Sequence, residues 1–427
     1  MNKNETVSEQ INKYKSTDPQ NIRPFFINSN ICMTSEDISS YDKFMSSICG
    51  NTGNSYITYS IIKALFGDLV PIKHIQNIYE YNFDNSTADI DYINNEATHV
   101  FFILQDQIRI AESYGLKLPY KKIIDFISKI NKPIIIAGLG ANSFKGFDPN
   151  FHKKLDLDLI YFLTFLSEHC IEIGIRGTYT QEILHKIGIN NTRVIGCPSF
   201  FENGKNRKIL KKEISDLKSI LLTQRLPMYT PTIHKIMQDF QEEGLIKAIA
   251  FDIIDNSFFR RRLEPVRKQT YHIFSDIVSW KNFVKNYNFA LGNRLHGAIL
   301  SINSGVPAVC LNGDSRATEM CDFLKIPHIP NIKIRSKKDI FKIYEKLDLT
   351  ELNANYPKLY DNFIKFLHIN NLQHYDENKD LHTKLHYVQQ PVLNLYSESL
   401  CKKLNNKTFR LKHFIKHKLR HVLKYKK

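Results

Sequence analysis

Along most of this chain, short apolar blocks are separated by stretches with helical spacing. His99 to Leu104 is apolar and β-rich, Tyr120 to Ile130 spaces its apolar residues as a helix does, and Pro133 to Gly138 is apolar again. A helix over Leu155 to His169, a strand over Cys170 to Ile175, a helix over Thr178 to Ile187 and a strand over Arg193 to Gly196 continue the alternation. Apolar strands alternating with helices predict a parallel sheet covered on both faces. A charged stretch from Lys205 to Lys218 interrupts the pattern. It restarts with strands at Ser219 to Thr223, Ile246 to Phe251, Phe289 to Leu291 and Ala308 to Leu311. Helices fall between and after them at Thr232 to Glu243, Trp280 to Tyr287, Ala298 to Ser304 and Thr318 to Leu324. The expected organisation is a polar extension over 1–40, a first α/β unit over 41–204, a linker over 205–218, a second α/β unit over 219–337 and a helical region over 338–406.

The composition fits that picture. Of 427 residues, 42% are hydrophobic and 24% charged, which excludes collagen-like, coiled-coil and wholly disordered chains. No apolar run approaches the ~20 residues of a spanning helix. The polar opening Met1-Asn2-Lys3-Asn4-Glu5 predicts no signal peptide. Seven scattered cysteines, without a Cys-x-x-Cys pair, point to a reducing compartment, and a cytoplasmic location is expected. They also give no reason to expect a metal site.

The formal net charge is +16, and residues 407–427 alone carry nine Lys or Arg and no acid. In that tail Leu411, Phe414, Ile415, Leu419 and Val422 share one side of a helical wheel, opposite most of the basic residues. A basic amphipathic helix of this kind suits an anionic lipid interface, so peripheral contact with the inner membrane face is expected. A solvated basic end is the plainer reading of the same residues. No recognition-helix, RNA-binding or zinc-finger pattern occurs, and no nucleic-acid partner is expected.

Two segments carry candidate chemistry. Gly50-Asn51-Thr52-Gly53-Asn54 is a turn-rich loop opening the helix Ser55 to Phe66, where backbone N–H groups can face an anion. Gly292-Asn293-Arg294-Leu295-His296-Gly297 follows a strand and opens a helix, at the sheet edge where open α/β folds bind ligands. Arg294 and His296 are two residues apart, so in extended chain they face one ligand together. An arginine fork for an anion and an imidazole for proton transfer suit chemistry on a phosphorylated acid. A surface ion pair for Arg294 and a helix cap for His296 fit the spacing too.

Residues 292–324, with Gly305-Val306-Pro307 entering the next strand and Asp314-Ser315-Arg316-Ala317-Thr318-Glu319 before a short helix, closely resemble the C-terminal signature of the polysaccharide pyruvyl transferase family. Gly174-Ile175-Arg176-Gly177-Thr178, followed by Gly196-Cys197-Pro198-Ser199, resembles a second family block, and Gly50 to Asn54 its N-terminal glycine loop. The resemblance implies two Rossmann-like domains in a GT-B-like α/β arrangement, with the active site in the interdomain cleft and a helical C-terminal extension. It implies phosphoenolpyruvate as donor, a glycan or lipid-linked saccharide as acceptor, a pyruvate ketal as product, and no cofactor or metal.

Carried over by motif, His296 is the catalytic residue, and Arg176, Arg294, Arg225, Gly50, Asn51 and Gly53 bind substrate. Asp314, Arg316 and Glu319 read either as acceptor contacts or as a local network fixing their loop, and Cys197 as a packed cysteine. Where family members carry a glycine triplet, this chain reads Phe101-Phe102-Ile103-Leu104-Gln105-Asp106-Gln107, so no acceptor residue is assigned there. A glycosyltransferase using a nucleotide sugar, and a non-catalytic scaffold for glycan assembly, are the competing readings.

Overall fold

Pro24-Phe25-Phe26-Ile27 forms a strand, β1, buried along its whole length and paired on both sides. The computed structural model describes residues 22–29, 52–70, 72–110, 118–143, 146–213, 217, 219–223, 246–251, 271–273, 277–311, 313–330 and 337–375. In it, β1 is joined by β2 (Lys73–Ile75), β3 (His99–Phe102), β4 (Ile134–Leu139), β5 (Ile173–Ile175) and β6 (Thr192–Val194). All pairs are parallel, in the order β2-β1-β3-β4-β5-β6. The second sheet holds β7 (Ser219–Leu222), β8 (Ile246–Phe251), β9 (Tyr271–Ile273), β10 (Phe289–Gly292) and β11 (Ala308–Cys310), again all parallel, in the order β11-β10-β7-β8-β9. These are two Rossmann-like α/β units in a GT-B-like pair.

β1 corrects the expected extension over 1–40, because residues 24–27 lie inside the first sheet. Four apolar residues between polar stretches are too few to show a period; the strand is fixed by pairing with β2 and β3 and buried by the apolar clusters on the two faces of the sheet. The helix expected over Thr232 to Glu243, residues Gly50, Asn51 and Arg225, and the tail 407–427 lie outside the described residues.

Alternation along the strands sends neighbouring side chains to opposite faces. Phe25, Val100, Phe102 and Ile136 enter one apolar cluster with Phe162. Phe26, Phe101 and Ile135 enter another, which continues through Tyr56 and Ile57 to Leu221, Trp280, Leu291 and Ile299 of the second unit. The helix Thr52–Phe66 bridges them. Twelve of its fifteen residues are buried, the pattern of a helix packed on all sides rather than on one face. The two sheets therefore share one continuous apolar core.

After the second sheet the chain returns to the first. Phe363, in the helix Thr350–Ile369, stacks on Phe201 with ring centroids 5.0 Å apart, and Asn362 donates to the carbonyl of Val194 at 2.8 Å. The preceding helix, Lys337–Lys346, stays with the second unit, where Tyr344 packs edge-on against Phe289.

Each sheet changes the direction of its strand order at one place, between β1 and β3 in the first and between β7 and β10 in the second. Ligands of open parallel sheets bind outside the carboxyl ends of the strands at such points. Among the described residues, the next helix after β1 is Thr52–Phe66, and the next after β10 is Leu295–Asn303. Their N-terminal turns meet.

Candidate active site

β10 ends at Gly292, pressed against the chain leaving β7. A β-carbon at Gly292 would collide with the backbone carbonyl of Thr223, and that carbonyl accepts from the Arg294 N–H at 3.1 Å. The carboxyl ends of two neighbouring strands are thus locked side by side. Arg294 is the N-cap of the helix Leu295–Asn303, with extended backbone, and all nine helical residues are buried. Arg294 and His296 are each 9% exposed. The His296 ring packs against Gly53 in the first turn of Thr52–Phe66, where a β-carbon would lie 2.5 Å from Nδ1. This glycine is needed for close approach of the two helices.

Arg176 comes from the other sheet. It follows the last residue of β5, donates its backbone N–H to the Leu139 carbonyl at 2.9 Å, and is 2% exposed. Its side chain runs past Gly140, where a β-carbon would lie 2.6 Å from Cδ. Burial lowers its pKa, and the neighbouring Cys197, Asp106 and Glu319 oppose that shift. Among the described residues, Nε of Arg176 has no hydrogen-bond partner. A buried guanidinium with an unused donor is a strong place for an anion.

Arg176 and His296 converge on one side chain. Cys197 Sγ lies 3.6 Å from Nε2 of His296 and is an electrostatic neighbour of the Arg176 guanidinium. The two sheets therefore bring Arg176, His296 and Gly53 to one seam, with Arg294 at the head of the His296 helix. Cys197 is packed, as expected, but packed at the site. The signal in the sequence was its position, directly after Gly196 beyond β6, on the same carboxyl edge as Arg176.

Asp314, Arg316 and Glu319 form a network, and it spans the seam. Asp314 caps its helix by accepting from the Ala317 N–H at 2.7 Å and also meets Arg316 at 3.4 Å. Arg316 reaches Asp106 of the first unit at 3.2 Å, and Asp106 accepts from Asn142 at 3.2 Å. Burial raises the Asp106 pKa, but Arg316, Arg176 and Arg109 outweigh it and hold this carboxyl well below the usual range. Glu319 accepts from the Thr180 N–H at 3.0 Å and hydroxyl at 2.7 Å, and burial pushes its pKa up to about 7. Ser143 adds a backbone donor to Ser315 Oγ at 2.9 Å. None of these cross-unit partners could be paired from spacing, since Asp106 and Arg316 stand 210 positions apart.

The sequence profile of the polysaccharide pyruvyl transferase family matches residues 51–315, a stretch that includes both helix starts and both arginines of the seam. The chain belongs to the polysaccharide pyruvyl transferase family. Membership makes it one of a family of transferases. No curated protein matches it in sequence.

Solved structures similar to this pyruvyl transferase family member include a UDP-N-acetylglucosamine 2-epimerase, 11% identical over 81% of this chain and 95% of that one, with a TM-score of 0.43. The UDP-GlcNAc 2-epimerase from Methanocaldococcus jannaschii is 14% identical over 81% and 99% of the two chains, at a TM-score of 0.41. The calicheamicin glycosyltransferase is 9% identical over 81% and 95%, at 0.36. At such low TM-scores these likenesses carry no weight for function. No helix among the described residues is long and apolar enough to cross a membrane.

Proposed function

We propose that this family member transfers the pyruvyl group of phosphoenolpyruvate to two hydroxyls of a sugar in a cell-surface polysaccharide or its precursor, forming a pyruvate ketal. The observation that carries the reading is the convergence of Arg176 and His296 on Cys197 from separate sheets. Arg176 and Arg294 offer planar forks to the donor's carboxylate and phosphate. The first turns of two helices meet at the same place and add backbone dipoles of the right sign.

His296, as imidazolium, gives its proton to the methylene carbon of the donor. The adjacent carbon becomes electrophilic, and a sugar oxygen attacks it while the hydroxyl proton passes to the imidazole. The bond to the phosphate oxygen then breaks, and the second hydroxyl adds to the same carbon, its proton leaving with phosphate. Two C–O bonds form, one C–O bond breaks, and the donor methylene becomes a methyl. Removing a group that moves a proton in this way typically costs ~10²–10⁴-fold in rate. The basic tail would suit an acceptor held on a lipid carrier at the inner membrane face.

The test is to incubate the purified chain with phosphoenolpyruvate and a panel of glycan-lipid acceptors. Phosphate release coupled to a mass gain of one ketal supports the reading. Transfer of a sugar from a nucleotide donor under the same conditions contradicts it.

A further inference from the structure

The chain leaving β3 runs over the carboxyl edge of the first sheet, and its polar residues there are held by their neighbours. The Gln105 carbonyl accepts from the Gly140 N–H at 2.7 Å, and the Ile108 carbonyl from the Asn142 N–H at 2.9 Å. The Asp106 carboxylate is engaged by Arg316 and Asn142. The Gln107 amide donates to the Tyr79 hydroxyl at 2.8 Å, and Arg109 donates to the same hydroxyl at 2.7 Å. Asp106 and Gln107 are buried, whereas Gln105 between them and Leu104 is half-buried. Its backbone is left-handed, with φ of 54°. Glycine takes that conformation freely, and other residues held in it are strained and collect at ligand sites.

Two glycines of the seam fix where Gln105 stands. Its carbonyl is bound by Gly140, the residue past which the Arg176 side chain runs. Its Oε1 accepts from the Asn54 amide at 2.7 Å, and Asn54 follows Gly53, on which the His296 ring packs. Gln105 is thus joined to the surroundings of Arg176 through its backbone and to those of His296 through its side chain. With Oε1 taken by Asn54, the N–H donors of Nε2 are directed away from that helix. The arginines of the seam suit an anionic donor. An uncharged amide with its donors fixed in direction suits a neutral hydroxyl.

We propose that Gln105 is a specificity-determining residue for the acceptor, its Nε2 donating to one sugar hydroxyl other than the two that receive the pyruvyl group. The proposal rests on reading the seam as a pyruvyl transfer site. A sugar without that hydroxyl leaves the amide without its partner, which is how a polar contact discriminates between substrates.

Gln105→Ala and Gln105→Gly in the full chain test it. The probes are the methyl pyranosides of glucose, galactose and N-acetylglucosamine, with the monodeoxy analogues of each. Dissociation constants come from ligand-observed NMR titration, beside melting temperatures and ketal formation from phosphoenolpyruvate. In the wild type, removing one hydroxyl of the preferred pyranoside should weaken binding about tenfold, the worth of one hydrogen bond. Gln105→Ala should weaken the parent sugar by a similar factor and bind it no better than that deoxy analogue, with Kd for phosphoenolpyruvate unchanged. Gln105→Gly should match Ala in sugar binding but melt at a higher temperature, because it relieves the left-handed backbone; it carries the test should Ala not fold. A merely structural role predicts instead that sugar binding follows stability, with Ala impaired and Gly not, and that result overturns the proposal. So does a wild type that binds none of the glycosides, or an Ala variant that discriminates as the wild type does. The stated loss of sugar discrimination in a chain that forms no ketal would uphold Gln105 as a sugar contact and reject pyruvyl transfer. Ketal formation with unaltered discrimination in Gln105→Ala would do the reverse.

Discussion

The hydroxyl of Thr180 donates to Oε1 of Glu319 at 2.7 Å, and this bond ties the first α/β unit to the second. Its acceptor is a carboxyl with a pKa near 7, against an ordinary glutamate value of 4.5, because it is buried. A raised carboxyl pKa means that the folded state binds the proton more tightly than the unfolded chain. The associated stability is present in full below the ordinary value and is lost as pH rises toward 7. Melting temperatures should therefore fall between about pH 4.5 and 7 by the equivalent of up to about 3 kcal/mol at this site. Glu319→Gln should flatten that slope, as a comparison of thermal melts across the range will show. An equal slope in both proteins would exclude Glu319 as its source.

Gly53 is held by contact, so Gly53→Ala should push the His296 ring off its position. A displacement near 1 Å can cost on the order of 10²-fold in rate. The expected result is a fall in kcat of that size together with a lower melting temperature, since overpacking a buried contact costs about 1–3 kcal/mol, measured by phosphate release beside a thermal melt. Full activity in Gly53→Ala would show that the ring tolerates the shift.

Arg176→Lys keeps a charge but loses the planar fork. KM for phosphoenolpyruvate should rise on the order of ten- to a hundredfold, the worth of one to two charge-assisted hydrogen bonds. Steady-state kinetics with donor varied checks this, and an unchanged KM would remove Arg176 from the donor site.

Phe26→Ala discriminates between a sheet strand and a solvated extension at the N-terminus. Phe26 is fully buried and stacks on Phe101 at 4.9 Å. Its loss should cost about 3–5 kcal/mol in denaturant unfolding, as for other core phenylalanines. A change within error of zero would be the result for an extension.

Much of the fold was legible because buried parallel strands write themselves as unbroken apolar runs. His99 to Leu104 and Pro133 to Gly138 are such runs, and both are central strands. β1, with four residues, and β2, with a pattern mostly exposed, give no such run. Their strand state comes from pairing with each other and with β3. At the site, Arg176 was legible because it directly follows β5, and Arg294 and His296 because they lie just past β10, although His296 stands in the first turn of its helix rather than in extended chain. The cross-unit bonds of Glu319 to Thr180, of Arg316 to Asp106 and of Cys197 to His296 were not, since they exist only once two sheets are docked.

The most direct test of a donor site between Arg176 and His296 is a thermal melt of the full chain with phosphoenolpyruvate alone, beside one with UDP. Binding at roughly a hundredfold excess over Kd stabilises by about 2.7 kcal/mol. The prediction is a clear upward shift with phosphoenolpyruvate that Arg176→Ala abolishes, and none with UDP. A shift with UDP and none with phosphoenolpyruvate would contradict the account.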